Sequence, residues 1–195
     1  MSISAQMVKE LREITSAGLM DCKRALVETD GDVEQARVIL REKGLAKAQE
    51  KSTREAAEGA VFSYVHGNGR IGVLVELACE TDFVARSDTF QELGKELAMQ
   101  VAAMSPRAMG PDDLPEETVE AERAIYAQQC ADKPENIREK IVDGKLNKFY
   151  DQVCLLRQTY IRDDARTVED LIKETIAKLG ENIEVRRFAR MAMGE

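Results

Sequence analysis

The sequence predicts an α+β protein: a small helical module at the amino end, a helical linker, then a small antiparallel sheet covered by helices. Three observations predict it. Apolar residues recur at helical spacing over the first ~45 residues. Two β-prone runs flank Gly67-Asn68-Gly69, a strong hairpin signal because glycine and asparagine accept positive φ. Long helical stripes then follow from Ser87 onward. The boundaries fall at 1–44 for the helical module, 45–58 for the linker and 59–195 for the α+β core.

The first helix runs from Ala5 to Thr15, with Met7, Val8, Leu11 and Ile14 on one face, and Ser16-Ala17-Gly18 breaks it. The second carries Leu19, Cys22, Ala25 and Leu26. Thr29-Asp30-Gly31-Asp32 is a turn whose oxygens cap the third, which presents Val33, Ala36, Ile39 and Leu40. Gly44 stands where a helix C-cap would need it. From Leu45 the chain turns to alanine, lysine, glutamate and glutamine: good helix composition with almost no apolar face.

Ala60–His66 and Ile71–Cys79 are the two strands, the second apolar enough to be central. Phe90, Leu93, Leu97 and Val101 form the stripe of a helix from about Ser87 to Met104, stopped by Ser105-Pro106. A loop holds Pro111 and Pro115. Charged helices follow from Glu116 to Cys130 and from Pro134 to about Tyr150. Thr167 caps a last helix carrying Val168, Leu171, Ile172, Ile176 and Leu179, ended by Gly180. Ile183 to Met193 alternates enough for a final strand.

Apolar residues make up 44% of the 195 and charged residues 33%, ordinary for a soluble globular chain. No apolar run approaches the roughly 20 residues of a membrane span. Met1 to Glu10 lacks the basic head and apolar stretch of a secretory signal, so the chain reads as cytosolic. A net charge of −8 argues against nucleic acid as the main ligand, since that binding rests on neutralising phosphates.

Conventional catalysis finds little to work with. The chain has no phosphate-binding G-x-x-x-x-G-K-[ST] loop. His66, the single histidine, stands at a hairpin end and reads as turn-exposed. Asp112-Asp113 and Asp163-Asp164 read as solvated loop pairs. Cys22, Cys79, Cys130 and Cys154 form no C-x-x-C pair and read as buried free thiols, so no metal site is expected.

Two places invite a binding role. Leu19 and Met20 follow Gly18 at a helix–helix corner, and a core so small cannot take both, so one is expected outside, where methionine suits a protein-binding surface. Glu80-Thr81-Asp82-Phe83-Val84 leaves a buried strand and precedes a helix. A phenylalanine at such a corner is either core or an anchor offered to a partner, and residue type alone leaves both readings open.

Three segments carry a resemblance. They are Leu11-Arg12-Glu13-Ile14-Thr15-Ser16-Ala17-Gly18-Leu19-Met20-Asp21-Cys22-Lys23-Arg24-Ala25-Leu26, then Cys79-Glu80-Thr81-Asp82-Phe83-Val84-Ala85-Arg86, then Gly180-Glu181-Asn182-Ile183 with Arg186-Arg187. In this order they resemble the elongation factor Ts family over essentially the whole chain. The departure is Ser16-Ala17-Gly18-Leu19, where the family commonly has Gly-Ala-Gly-Met.

The resemblance implies a ubiquitin-associated-like fold for the amino-terminal module, docking on the nucleotide-binding domain of elongation factor Tu through Lys9, Leu11, Arg12, Leu19 and Met20. It implies that Thr81, Asp82, Phe83 and Val84 form the exchange motif. Phe83 would act as a wedge that displaces a helix of the partner, and Asp82 would disturb magnesium coordination and the phosphate loop. It implies guanine-nucleotide exchange without catalytic residues, metal or cofactor of the chain's own. Longer family members carry two related core halves and an inserted helical hairpin. This chain has room for one half, and shorter members are associated with homodimers, so a homodimer is expected, with 59–195 as its dimerisation domain. A peptide-binding adaptor built on the amino-terminal module, and a small enzyme using His66 or a cysteine, are the competing readings.

Overall fold

The computed structural model describes residues 3–15 and 17–195, the side chain of Asn136 excepted. Ser16, expected in the break after the first helix, lies outside the described residues, as do Met1 and Ser2. The chain divides into two compact units. One comprises Met1–Ala60, Leu77–Leu93 and Asp170–Glu184; the other comprises Val61–Glu76, Gly94–Glu169 and Val185–Glu195.

In the first unit, helices α1 (Ala5–Thr15), α2 (Leu19–Glu28) and α3 (Val33–Lys51) form a bundle. Its core is Val8, Leu11, Cys22, Ala25, Leu26, Ala36 and Leu40, with Met7, Val33 and Ile39 partly buried against it. These are the residues the 3.6 period put on the inner faces, except Ile14 and Leu19, which are 61% and 53% exposed. The α2–α3 turn works as expected: the Asp32 carboxylate accepts the Gln35 backbone N–H at 3.0 Å and caps α3.

Gly44 does not end α3. The helix continues unbroken to Lys51, and the helical linker is its second half. The reason is packing. A Cβ at Gly44 would stand 3.3 Å from the Ala177 methyl of helix α8 (Val168–Leu179), and Ala48, one turn on, is fully buried. Small residues at i and i+4 leave room for close helix approach, which a search for large apolar residues does not register. Arg41 adds contacts to Asp170 at 3.4 Å and Glu174 at 3.3 Å on α8.

A three-stranded sheet has the order β1 (Glu58–His66), β2 (Ile71–Cys79), β5 (Ile183–Ala192), with β2 central as its apolar run predicts. Gly67, Asn68 and Gly69 all have positive φ in the β1–β2 turn. β2 is covered on both faces only toward its end, at Leu77, Ala78 and Cys79; Leu74 is exposed.

In the second unit, the part of α5 (Asp88–Met104) from Gly94 onward brings Leu97 and Val101 to the interior. Phe62 of β1 is buried there too. Helices α6 (Glu116–Gln129) and α7 (Glu135–Val153) form a hairpin around Val119, Tyr126, Val142 and Leu146. A two-stranded ribbon, β3 (Thr159–Tyr160) with β4 (Asp163–Thr167), corrects the reading of Asp163-Asp164 as loop. It is held by buried amides rather than by apolar alternation. Gln100 donates to the Gln158 side-chain oxygen at 3.2 Å and accepts the Ile161 N–H at 3.0 Å. All four cysteines are buried free thiols.

Candidate functional site

The first unit carries a strand-to-helix corner built from two distant stretches of sequence. β2 ends at Cys79, whose buried S–H donates to the Thr81 carbonyl at 3.2 Å. Burial pushes this thiol up, and the Glu181 carboxylate adds to the shift. Thr81 then caps α4 (Asp82–Ala85), a helix of four residues: its hydroxyl oxygen accepts the Val84 N–H at 3.3 Å.

The turn Gly180-Glu181-Asn182 meets this corner. The Thr81 hydroxyl donates to Glu181 Oε1 at 2.7 Å, and the Thr81 N–H donates to Oε2 at 3.0 Å. In the other direction, the Asn182 N–H donates to the Glu80 carboxylate at 2.6 Å. The Asn182 side-chain amide donates to the Arg54 carbonyl at 2.8 Å, and the Arg54 guanidinium lies 3.6 Å from Glu80.

Within α4, consecutive residues are about 100° apart around the axis, so its four residues cannot all face inward. Val84 and Ala85 are buried, and Phe83 is 82% exposed. Asp82 is exposed and bonded to Arg86 at 2.6 Å. Of the two readings of Phe83, core is excluded: the ring stands in solvent. The structure also places Val84 inward, as the apolar foot of the turn, rather than on its outer surface.

The other expected surface surrounds the α1–α2 corner. Lys9 and Arg12 are exposed, and Leu19 and Met20 are both outside, at 53% and 62%. One of the pair was expected outside, and both are; Cys22, Ala25 and Leu26 already complete the α2 contribution to the core. Leu11 needs correcting as a surface residue: it is wholly buried at the bundle centre, so it holds α1 in place. Ile14 was missed because its spacing matched the core stripe, yet it lies exposed at the end of α1. Nearby, Arg24 and then Lys47 bond the Asp21 carboxylate and hold its pKa below the ordinary carboxylate value.

Glu181 was also missed as a site residue, although it stands in a segment the sequence singled out; nothing local connects it to Thr81, a hundred positions away. His66 is exposed, with Nδ1 3.0 Å from the Tyr64 hydroxyl. Among the described residues no group of three or more His, Cys, Asp or Glu is placed to hold a metal ion, and no helix is long and apolar enough to cross a membrane.

Fold and site together define a class: a small α+β protein with an amino-terminal three-helix bundle and a solvent-facing phenylalanine on a clasped turn. Comparison with known proteins narrows it. The sequence profile of the family described as Elongation factor TS matches residues 3–195. The chain belongs to the elongation factor Ts family, and so to the elongation factors of protein synthesis. It is 57% identical to elongation factor Ts of Thermotoga neapolitana over 195 residues, covering 100% of this chain and 99% of that protein. It is 56% identical to elongation factor Ts of Maridesulfovibrio salexigens over 197 residues, covering 100% and 96%. It is 54% identical to elongation factor Ts of Coprothermobacter proteolyticus over 197 residues, covering both chains fully.

Proposed function

We propose that this chain is a guanine-nucleotide exchange factor that binds elongation factor Tu and promotes GDP release during translation elongation. The observation that carries the reading is the 82% exposure of Phe83 on a turn whose base is fixed by Glu181. Burying such a ring is worth roughly 1.5–3 kcal/mol, so a fold that leaves it in water keeps that free energy for a partner. Lys9, Arg12, Leu19 and Met20, with Ile14 beside them, form the docking patch of residues 1–44; Leu11 supports it from within. Thr81 and Val84 hold the turn, Phe83 is the wedge, and Asp82 reaches the magnesium and phosphate side of the partner's nucleotide.

Such a factor makes and breaks no covalent bond and needs no metal or cofactor of its own. It needs higher affinity for the nucleotide-free partner than for the nucleotide-bound one. That difference is a reciprocal coupling, so fresh GTP weakens the factor's hold by the same ratio and releases it. The net charge of −8 supports a protein partner in the cytoplasm over nucleic acid or an anionic membrane.

The chain acts as a homodimer in this reading, and the sheet supplies the surface. Val61 and Val65 alternate with buried Phe62 on β1, and Leu74 alternates with buried Val73 and Val75 on β2. Met191 shares the parity of Arg187, which pairs with Glu76 on the Leu74 face. An exposed apolar sheet face of this kind suits a second copy of itself.

Stopped-flow release of a fluorescent GDP analogue from elongation factor Tu tests the function. The intact chain is expected to accelerate release, and Phe83→Ala to lose about 2 kcal/mol of that effect, roughly thirtyfold. If the intact chain binds without accelerating release, the peptide-adaptor reading replaces this one.

A further inference from the structure

The contact between the Thr81 corner and the Gly180 turn is reciprocal. Each side supplies a glutamate whose carboxylate takes a backbone N–H of the other: Glu80 from Asn182 at 2.6 Å, Glu181 from Thr81 at 3.0 Å. Glu181 does more than Glu80, because it also takes the Thr81 hydroxyl proton at 2.7 Å. A threonine hydroxyl has one proton to give and lone pairs to accept with. With the proton committed to Glu181, a lone pair is left facing the Val84 N–H, which it caps at 3.3 Å. The carboxylate, the hydroxyl and the Val84 N–H of α4 thus form one relay.

We infer that Glu181 is the positioning residue of the exchange turn: through Thr81 it fixes the direction in which Phe83 is presented. The inference rests on the exchange reading above. A helix of four residues cannot sustain itself, since nucleation is unfavourable and few bonds repay it. The direction of α4 is therefore set from outside, by buried Val84 on one side and by the Glu181–Thr81 relay at its start. Without Glu181 the Thr81 hydroxyl turns freely, its N–H loses its acceptor, and the turn samples several directions. Phe83 then has to be ordered on the partner, at an entropic cost that falls on the step where it acts. The docking patch on α1 and α2 is untouched by this change.

The first measurement is hydrogen exchange of the free protein, which needs no partner. In Glu181→Ala the Val84 amide is expected to exchange about tenfold faster, charge-assisted bonds being the stronger kind, while the Val75 amide in β2 keeps its rate. The second is GDP release from elongation factor Tu across a range of factor concentrations. Glu181→Ala is expected to lower the maximal rate about tenfold and to move the half-saturating concentration by less than about twofold. Thr81→Val reproduces this loss, Thr81→Ser keeps the natural rate, and the Thr81→Val/Glu181→Ala pair loses no more than either alone. In a Phe83→Ala background Glu181→Ala has no further effect on release, which a general loss of folding would not produce. Should Glu181→Ala fail to fold, Glu181→Gln keeps one acceptor oxygen and gives an intermediate loss in both measurements. Unchanged Val84 exchange, or an unchanged maximal rate, in the folded variant overturns the inference. If Val84 exchange rises but the natural chain does not accelerate GDP release, the positioning stands and the exchange reading falls.

Discussion

Gly94 of α5 lies against the ring of Phe62: a Cβ at residue 94 would stand 2.2 Å from the ring carbon Cδ2. No side-chain atom fits there without moving the phenylalanine. Helix propensity alone would make Gly94→Ala stabilising by up to about 1 kcal/mol. The contact reverses the sign, and denaturant unfolding is expected to show a loss of about 1–3 kcal/mol. Adding Phe62→Leu to Gly94→Ala recovers part of it, so the double variant is less unstable than the sum of the two.

Phe83 and Phe90 stand close in sequence and have opposite fates, one 82% exposed and the other fully buried. Phe83→Ala is expected to change unfolding free energy by less than about 0.5 kcal/mol, as exposed positions do. Phe90→Ala is expected to lose about 3–5 kcal/mol. Thermal or urea unfolding of both separates a defect in partner action from a defect in folding.

The proposed docking patch and the proposed wedge are expected to have separable kinetic signatures. Met20→Asp puts a charge on the exposed corner without touching the bundle core. It is expected to raise the half-saturating concentration in the GDP-release assay about tenfold or more, and to leave the maximal rate near its natural value. A loss of maximal rate instead would mean that the α1–α2 corner takes part in the exchange step itself.

The Tyr160 hydroxyl donates to the Glu96 carboxylate at 2.7 Å, and burial followed by this bond raises its pKa from 10.0 to about 12. The folded value lies above the unfolded one, so the stability Tyr160 contributes is complete below pH 10.0 and is lost as pH rises toward about 12. Tyrosinate absorbance is expected to show one ring titrating late, and Tyr160→Phe to remove that late phase. The same variant loses the part of the alkaline decline in unfolding midpoint that falls in this window.

Leu74→Asp places a carboxylate on the sheet face proposed to meet a second copy. Sedimentation is expected to show dimer for the natural chain and monomer for the variant, with an unchanged circular dichroism spectrum. A variant that remains dimeric moves the dimer surface away from this face.

Much of the fold was legible because period carries it. The α5 stripe of Phe90, Leu93, Leu97 and Val101 is buried as read, and β2 is bounded as read by Ile71 and Cys79. What period cannot carry was missed. The β3–β4 ribbon has Arg162, Asp163 and Asp164 where alternation would be sought, and its support comes from Gln100 and Gln158, which look like surface residues by type. The run of α3 through Gly44 depends on Ala177, far along the chain. At the candidate site, the motif singled out residues but did not show which way they faced. Leu11 and Val84 turn inward and Ile14 outward, because in a small bundle or a single turn one residue of offset changes the face.

The unbroken course of α3 has a mechanical consequence. The bundle that carries Leu19 and Met20 is not tethered by a slack strand. It is braced against α8 at Arg41 and Gly44, and α8 runs through Gly180 into the residue that grips Thr81. The proposed docking patch and the Phe83 turn thus belong to one compact unit, like the two jaws of a caliper. A caliper closed on a softer object leaves its mark on the object. On the exchange reading proposed above, a partner seized at both jaws would have to take up any mismatch in spacing within its own structure.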